Sequence, residues 1–195
     1  MTDFPNYFAS VSSNFEKELN LFESESTLRF LQIGVYTGDA SEWILNRFSS
    51  VPNFILTDVD TWSTGDSKEM SDLDFRGIED FYLQRTNNER RLGRCHSIKS
   101  TSDKFFADNK EIYNFIYIDG NHEPIQVLKD GLNGFERLID GGILAFDDYL
   151  GAQEKPLIEQ PKIAIDLFLE LLGEKVEIVV DNYQLWIKKV PPTRR

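Results

Sequence analysis

Four short stretches of this 195-residue chain hold residue types and spacings suited to chemistry. The first is Gly34-Val35-Tyr36-Thr37-Gly38. Glycines let a backbone approach a ligand closely, and the helix that follows presents a partly positive N-terminus. Tyr36 stands where the dinucleotide fingerprint has its second glycine, which argues against a nicotinamide cofactor. An ordinary strand-to-helix turn has the same composition. The second stretch is Asp58-Val59-Asp60, roughly 20 residues on, where an acid suits ribose hydroxyls. Strand alternation points both acids the same way, and only Asp60 clears the strand end. A solvated turn carboxylate is the plainer alternative.

The third and fourth stretches are Asp119-Gly120-Asn121-His122 and Asp147-Asp148-Tyr149. If the strands before them are neighbours, Asp119, Asp147 and Asp148 converge. Crowded carboxylates raise one another's pKa. A divalent cation removes that conflict, and oxygen ligands suit magnesium, calcium or manganese. Helix caps and exposed turns also favour aspartate. Beside a cation and a hydroxyl, His122 has the chemistry of a general base; a loop histidine with no such role fits equally. Asp119 and His122 are the candidate catalytic residues, and His96 is assigned to structure.

These stretches need elements to position them. Phe15, Leu19 and Phe22 recur at helical spacing in a lead-in over residues 1–27. Apolar runs predict strands at Leu28–Val35, Phe54–Val59, Arg94–Ile98, Tyr113–Ile118 and Gly142–Phe146. Between them, helices are expected at Ala40–Phe48, Leu73–Arg85 and Ile125–Ile139, the last ended by Gly141-Gly142. Another helix is expected at Ile163–Leu172. Val176–Val180 and Gln184–Lys188 form a closing antiparallel hairpin across a short link. Alternating strands and helices predict an α/β fold: a doubly wound, mostly parallel, seven-stranded sheet covered on both faces. The chain reads as a single domain, 1–195, with residues 63–91 as an insertion placed to cover a pocket. In such sheets ligands bind beyond the carboxyl ends of the strands, where all four stretches lie.

Composition narrows the partners. The chain is 41% hydrophobic and 13% aromatic, which supports a sizeable core and argues against disorder. Its net charge of −12 repels a phosphate backbone, so no nucleic-acid partner is expected. Cys95 is the one cysteine, so no intrachain disulfide forms, in keeping with a reducing, cytoplasmic setting. MTDFPNYFAS lacks the basic-then-apolar pattern of a signal peptide, and no apolar run is long enough to cross a bilayer.

FLQIGVYTG, DVDTWSTGD, YNFIYIDGNH and GGILAFDDY, in that order, resemble class I methyltransferases. More narrowly they are similar to the small-molecule O-methyltransferase family that includes macrolide sugar O-methyltransferases and cephalosporin hydroxylase-like proteins. The resemblance runs from Phe30 to Tyr149. It implies a Rossmann-like methyltransferase fold with S-adenosylmethionine at Gly34, Tyr36 and Gly38, its ribose on Asp60. It further implies adenine near Ser100 and Thr101, with Asp119 also at the cofactor. In metal-dependent members the acids matching Asp119, Asp147 and Asp148 hold magnesium, and the histidine matching His122 is the base. Two positions depart from the pattern: Gln32 replaces a frequent acid, and Tyr36 replaces the middle glycine. The expected function is methyl transfer to a hydroxyl of a small molecule, assisted by a divalent cation, in a protein that forms no membrane contact and has the option of homo-oligomerising. The rivals are a metal-binding enzyme of another class and a non-catalytic protein on the same fold.

Overall fold

The computed structural model describes residues 4–63 and 73–192. Seven strands form one sheet. They are β1 (Thr27–Ile33), β2 (Asn53–Asp60), β3 (Cys95–Lys99), β4 (Tyr113–Ile118), β5 (Leu138–Phe146), β6 (Val176–Asp181) and β7 (Leu185–Lys189). Their spatial order is β3-β2-β1-β4-β5-β7-β6. β1 to β5 pair in parallel, and β7 runs antiparallel to both β5 and β6. β1 has β2 on one side and β4 on the other, so the order reverses there and opens a crevice beyond the strand ends.

Alternation along the strands builds two cores. Leu28, Phe30, Phe54, Phe115 and Trp186 face one side, and Leu31, Ile33, Ile116, Leu144 and Phe146 face the other. The first side is covered by α1 (Ser12–Glu18) and α2 (Asp39–Arg47), the second by α5 (Ser102–Asp108), α6 (Pro124–Glu136) and α7 (Pro161–Leu172). Phe15 of α1 is fully buried, its ring edge-on to Tyr117 and Trp186 at 4.9 Å each. Such burial contributes about 1.5–3 kcal/mol per phenyl ring. The lead-in is therefore core material. Its first described residues reach the glycine loop: Phe4 and Tyr7 pack on Tyr36 at 6.4 and 5.7 Å between ring centroids.

The helix expected over Ile125–Ile139 stops earlier. α6 ends at Glu136, and Leu138 already pairs with Tyr113 at the start of β5. The register then shifts, and Gly141 takes φ +78° within β5. The glycine pair thus serves a strand irregularity, where a left-handed residue bends the chain, rather than a helix end. The insertion also divides. Residues 64–72 lie outside the described set. Residues 75–91 supply α3 (Phe75–Arg85) and α4 (Asn87–Arg91), the crossover between β2 and β3. α3 begins at Asp74, whose side chain accepts from the Gly77 N–H, and it buries Ile78 and Tyr82 completely. Among the described residues no helix is long and apolar enough to cross a membrane.

Candidate active site

β1 ends at Ile33 and the glycine loop turns into α2. Gly34 has φ +83°, and a Cβ there would lie 2.0 Å from the carbonyl oxygen of Asp119. The close approach of β4 thus demands glycine at 34. Gly38 has φ +78°, and its missing Cβ would meet the Tyr82 ring at 2.7 Å. Tyr36, between them, is also left-handed at φ +53°, a conformation unfavourable by about 1–2 kcal/mol for a side chain with a Cβ. Gln32 lies beneath, its amide donating to the Gly34 carbonyl at 2.9 Å while its oxygen accepts from Ser41 at 3.2 Å. A carboxylate at 32 has no hydrogen to offer that carbonyl, which gives the departure from the usual acid a local reason.

The two acids of β2 part company. Asp60 is partly exposed at the strand end. Its Oδ2 accepts from the backbone N–H groups of Val35 (2.7 Å) and Tyr36 (3.1 Å), and its Oδ1 accepts from Trp62 N–H (2.7 Å). Asp60 therefore braces the glycine loop, and only Oδ1 keeps a lone pair for a hydroxyl. Asp58 is fully buried. Its Oδ2 accepts from the Tyr82 hydroxyl at 2.9 Å, and its Oδ1 has no hydrogen-bond partner among the described residues. Burial pushes its pKa up to about 6. Ser100 N–H donates to the Asp60 carbonyl at 3.0 Å, and Thr101 caps α5, so both sit beside the end of β2.

On the other side of β1, the acids crowd. Asp119 Oδ2 lies 3.3 Å from the Tyr117 hydroxyl, which donates to Asp147 Oδ1 at 2.7 Å. Gln184 Nε2 donates to the same Asp147 oxygen at 2.5 Å. His122 Nε2 lies 2.8 Å from Asp148 Oδ2, and Tyr183 donates its hydroxyl hydrogen to Asp148 Oδ1 at 2.7 Å. Burial, then the charges of Asp147 and Asp148, push Asp119 well above the usual carboxylate range. Burial and the Asp148 charge raise Asp147 as well. Asp148 differs: burial works to raise it, but the His122 hydrogen bond and charge hold it below its ordinary value. For His122, burial acts downward and is outweighed by Asp148, so its pKa is raised. One ligand atom each from Asp119, His122 and Asp148 lies within 4.8 Å of the others. Asp147 is not in that group; its carboxylate is engaged by Tyr117 and Gln184.

Residues 31–149, well over half of the chain, match the methyltransferase-domain family. The chain belongs to that family. This methyltransferase shares its fold with the O-methyltransferase of Bacillus cereus solved with SAH (12% identity, TM-score 0.62, covering 98% of this chain and 84% of that one). It is similarly close to the O-methyltransferase TomG of Streptomyces achromogenes solved with SAM (12%, 0.63, 98% and 93%). An rRNA methylase of Streptococcus thermophilus superimposes as well (13%, 0.61, 98% and 99%). No curated protein matches the chain. The methyltransferase family and the Rossmann-like fold expected from the motifs are thus borne out.

The methyltransferase brings its sequence-derived candidates to one sheet edge in two groups. Gly34, Tyr36, Gly38, Asp60, Ser100 and Thr101 gather around β1 to β3. Asp119, His122, Asp147 and Asp148 gather beyond β4 and β5, with Asp119 in backbone contact with Gly34 and so bordering both groups. Sequence reasoning missed Tyr117, Tyr183, Gln184, Trp62 and Tyr82. Tyr117 had a usable signal, because it lies two residues before Asp119 and so shares its side of β4. Tyr183 and Gln184 had none, since only the packing of β7 beside β5 brings the hairpin turn to the acids.

Proposed function

We propose that this methyltransferase moves the methyl group of S-adenosylmethionine to a hydroxyl of a small molecule. The observation that carries this is the His122–Asp148 pair at 2.8 Å, held beside Asp119 at the edge that also bears the glycine loop. In neutral His122 an Nε2–H donates to Asp148 and leaves Nδ1 as the acceptor. An imidazole oriented by a half-buried acid takes a substrate proton readily, because the acid stabilises the imidazolium that forms. The glycine loop and Asp60 bind the cofactor. The chain's part in the transfer is to align the hydroxyl oxygen with the methyl carbon and sulfur, a positioning effect.

Asp119 and Asp148, with His122 alongside, are suited to a divalent cation such as magnesium, manganese or calcium. The fit rests on donor chemistry: the carboxylates of Asp119 and Asp148 converge, and Asp119 is burdened by neighbouring negative charge. Such an ion supplies Lewis acidity that makes a coordinated hydroxyl easier to deprotonate. The net charge of −12 favours a small acceptor over nucleic acid.

Calorimetry with S-adenosylmethionine and its demethylated product, each with and without magnesium, tests the reading. Binding of both, and no binding of NAD, is expected. Absence of heat at millimolar cofactor overturns it. A cofactor affinity and a product yield indifferent to magnesium, manganese and EDTA would remove the cation and leave the His122–Asp148 pair alone.

A further inference from the structure

Trp62 follows Asp60 by two residues and belongs to none of the roles given so far. It is 4% exposed, and its backbone is left-handed at φ +42°. A bulky residue rarely adopts that conformation unless its surroundings enforce it, and such residues gather at ligand clamps. Three contacts enforce it here. The Trp62 backbone N–H donates to Asp60 Oδ1 at 2.7 Å. The indole Nε1–H donates to the Tyr36 carbonyl at 3.1 Å. The indole ring packs on Tyr82 at 4.9 Å and 31°, and Tyr82 is the ring that leaves room only for glycine at 38.

We infer that Trp62 is a positioning residue for the cofactor, clamping the glycine loop and the ribose acid into one rigid unit. The inference rests on the reading that S-adenosylmethionine binds at this loop. Tyr36 and Trp62 are both left-handed non-glycine residues, and a single hydrogen bond joins them. Without the indole N–H, Tyr36 is free to relax toward ordinary backbone angles. The Tyr36 amide would then leave Asp60, and the carboxylate would lose one of the three N–H groups that aim it. Arg85 adds a second hold on the same loop, donating to the Thr37 carbonyl at 3.2 Å and to Asp39 at 2.6 Å. That grip does not touch Asp60, whereas Trp62 holds both the acid and the loop and so reinforces the direct bonds from Val35 and Tyr36 to Asp60.

Trp62→Phe keeps a ring against Tyr82 and deletes the N–H donor. Affinity for S-adenosylhomocysteine, measured by calorimetry, should fall about fivefold to tenfold, the effect of one hydrogen bond. In steady state, KM for S-adenosylmethionine should rise by a similar factor with kcat at saturation unchanged. A merely structural tryptophan would lower the active fraction, and hence kcat, without moving KM. Trp43→Phe, in α2 where the ring packs on Phe8 and Phe15, is the control and should leave KM unchanged. If Trp62→Phe does not fold, the wild type still decides. Hydrogen exchange of the Trp62 indole N–H, followed by NMR, should slow when S-adenosylhomocysteine binds, while that of Trp43 does not. Wild-type binding with an unchanged KM in Trp62→Phe, or with no change in Trp62 exchange, overturns the inference. Failure of the wild type to bind either cofactor form overturns the functional reading instead.

Discussion

The two halves of the sheet edge are organised by opposite electrostatics. Around β1 and β2, nearly every polar group is matched by the protein itself. Asp60 accepts three backbone N–H groups, Gln32 serves the Gly34 carbonyl, and Trp62 serves Tyr36. Around β4 and β5, Asp119, Asp147 and Asp148 face one another with too few donors, and two of the three have raised pKa values. The first half is a cradle shaped in advance. The second stores electrostatic repulsion that a substrate proton, an imidazolium or a cation relieves. Preorganisation suits binding of a fixed cofactor, and stored charge suits a step in which charge changes.

His122→Ala tests the charged half and carries the largest expected effect. A general base contributes about 10²–10⁴-fold. Turnover should fall within that range while S-adenosylmethionine affinity, set by the other half, stays nearly constant. Parallel loss of both would show that the halves are not independent. Gly34→Ala attacks the seam between them. The new methyl meets the Asp119 carbonyl and the backbone is left-handed, so destabilisation of about 2–4 kcal/mol is expected. That lowers the thermal midpoint by roughly 5–15 °C for a chain of this size. A midpoint within a degree or two of wild type would mean that the strand ends part easily.

The smallest effects, of roughly 1.5–3 kcal/mol, separate the two acids of β2 within the cradle. Asp60→Ala should weaken cofactor binding about tenfold to hundredfold through one lost charge-assisted bond. Asp58→Asn should leave binding nearly intact and act on stability. The Asp58 pKa is about 6 in the fold, against about 3.9 in an unfolded chain. Between those values the native state keeps a proton that the unfolded state has released. Stability therefore falls as pH rises from about 4 to about 6. The Asp58 share is at most roughly 3 kcal/mol. Asp130, buried in α6 and also raised to about 6 by burial, adds a slope of the same sign. Denaturant midpoints from pH 4 to 7 should show a shallower fall in Asp58→Asn than in wild type. An unchanged slope would show that Asp58 is not the group that titrates.

Much of the molecule was legible before its structure. Strand positions followed from short apolar runs, because buried parallel strands must be apolar on both faces. The hairpin followed from the short link over residues 181–183. The choice of Asp60 over Asp58 for an accessible role agrees with the observed burial, since a residue at the last position of a strand is the first to escape the sheet. The end of α6 was not legible. Leu138 and Ile139 continue the helical pattern of Val127, Leu128 and Leu132, and pairing of Leu138 with Tyr113 outweighs that local signal.

What the sequence determined by itself is the family, the order of the motifs along the chain and the sheet edge at which the candidate residues gather. These follow from local composition and from the rule that ligands bind beyond the carboxyl ends of a doubly wound sheet. Only the tertiary structure decided what each acid does there. Asp147 and Asp148 are adjacent in the chain, yet Asp147 is engaged by Tyr117 and Gln184 while Asp148 meets His122 and Tyr183. Successive residues at a strand end point to different sides, and the donors that claim them come from β4, the loop before α6 and the hairpin turn. Tyr183 and Gln184 are far away in sequence, so no local pattern announces them. Their placement depends on β7 inserting beside β5, a long-range pairing made when the whole sheet assembles.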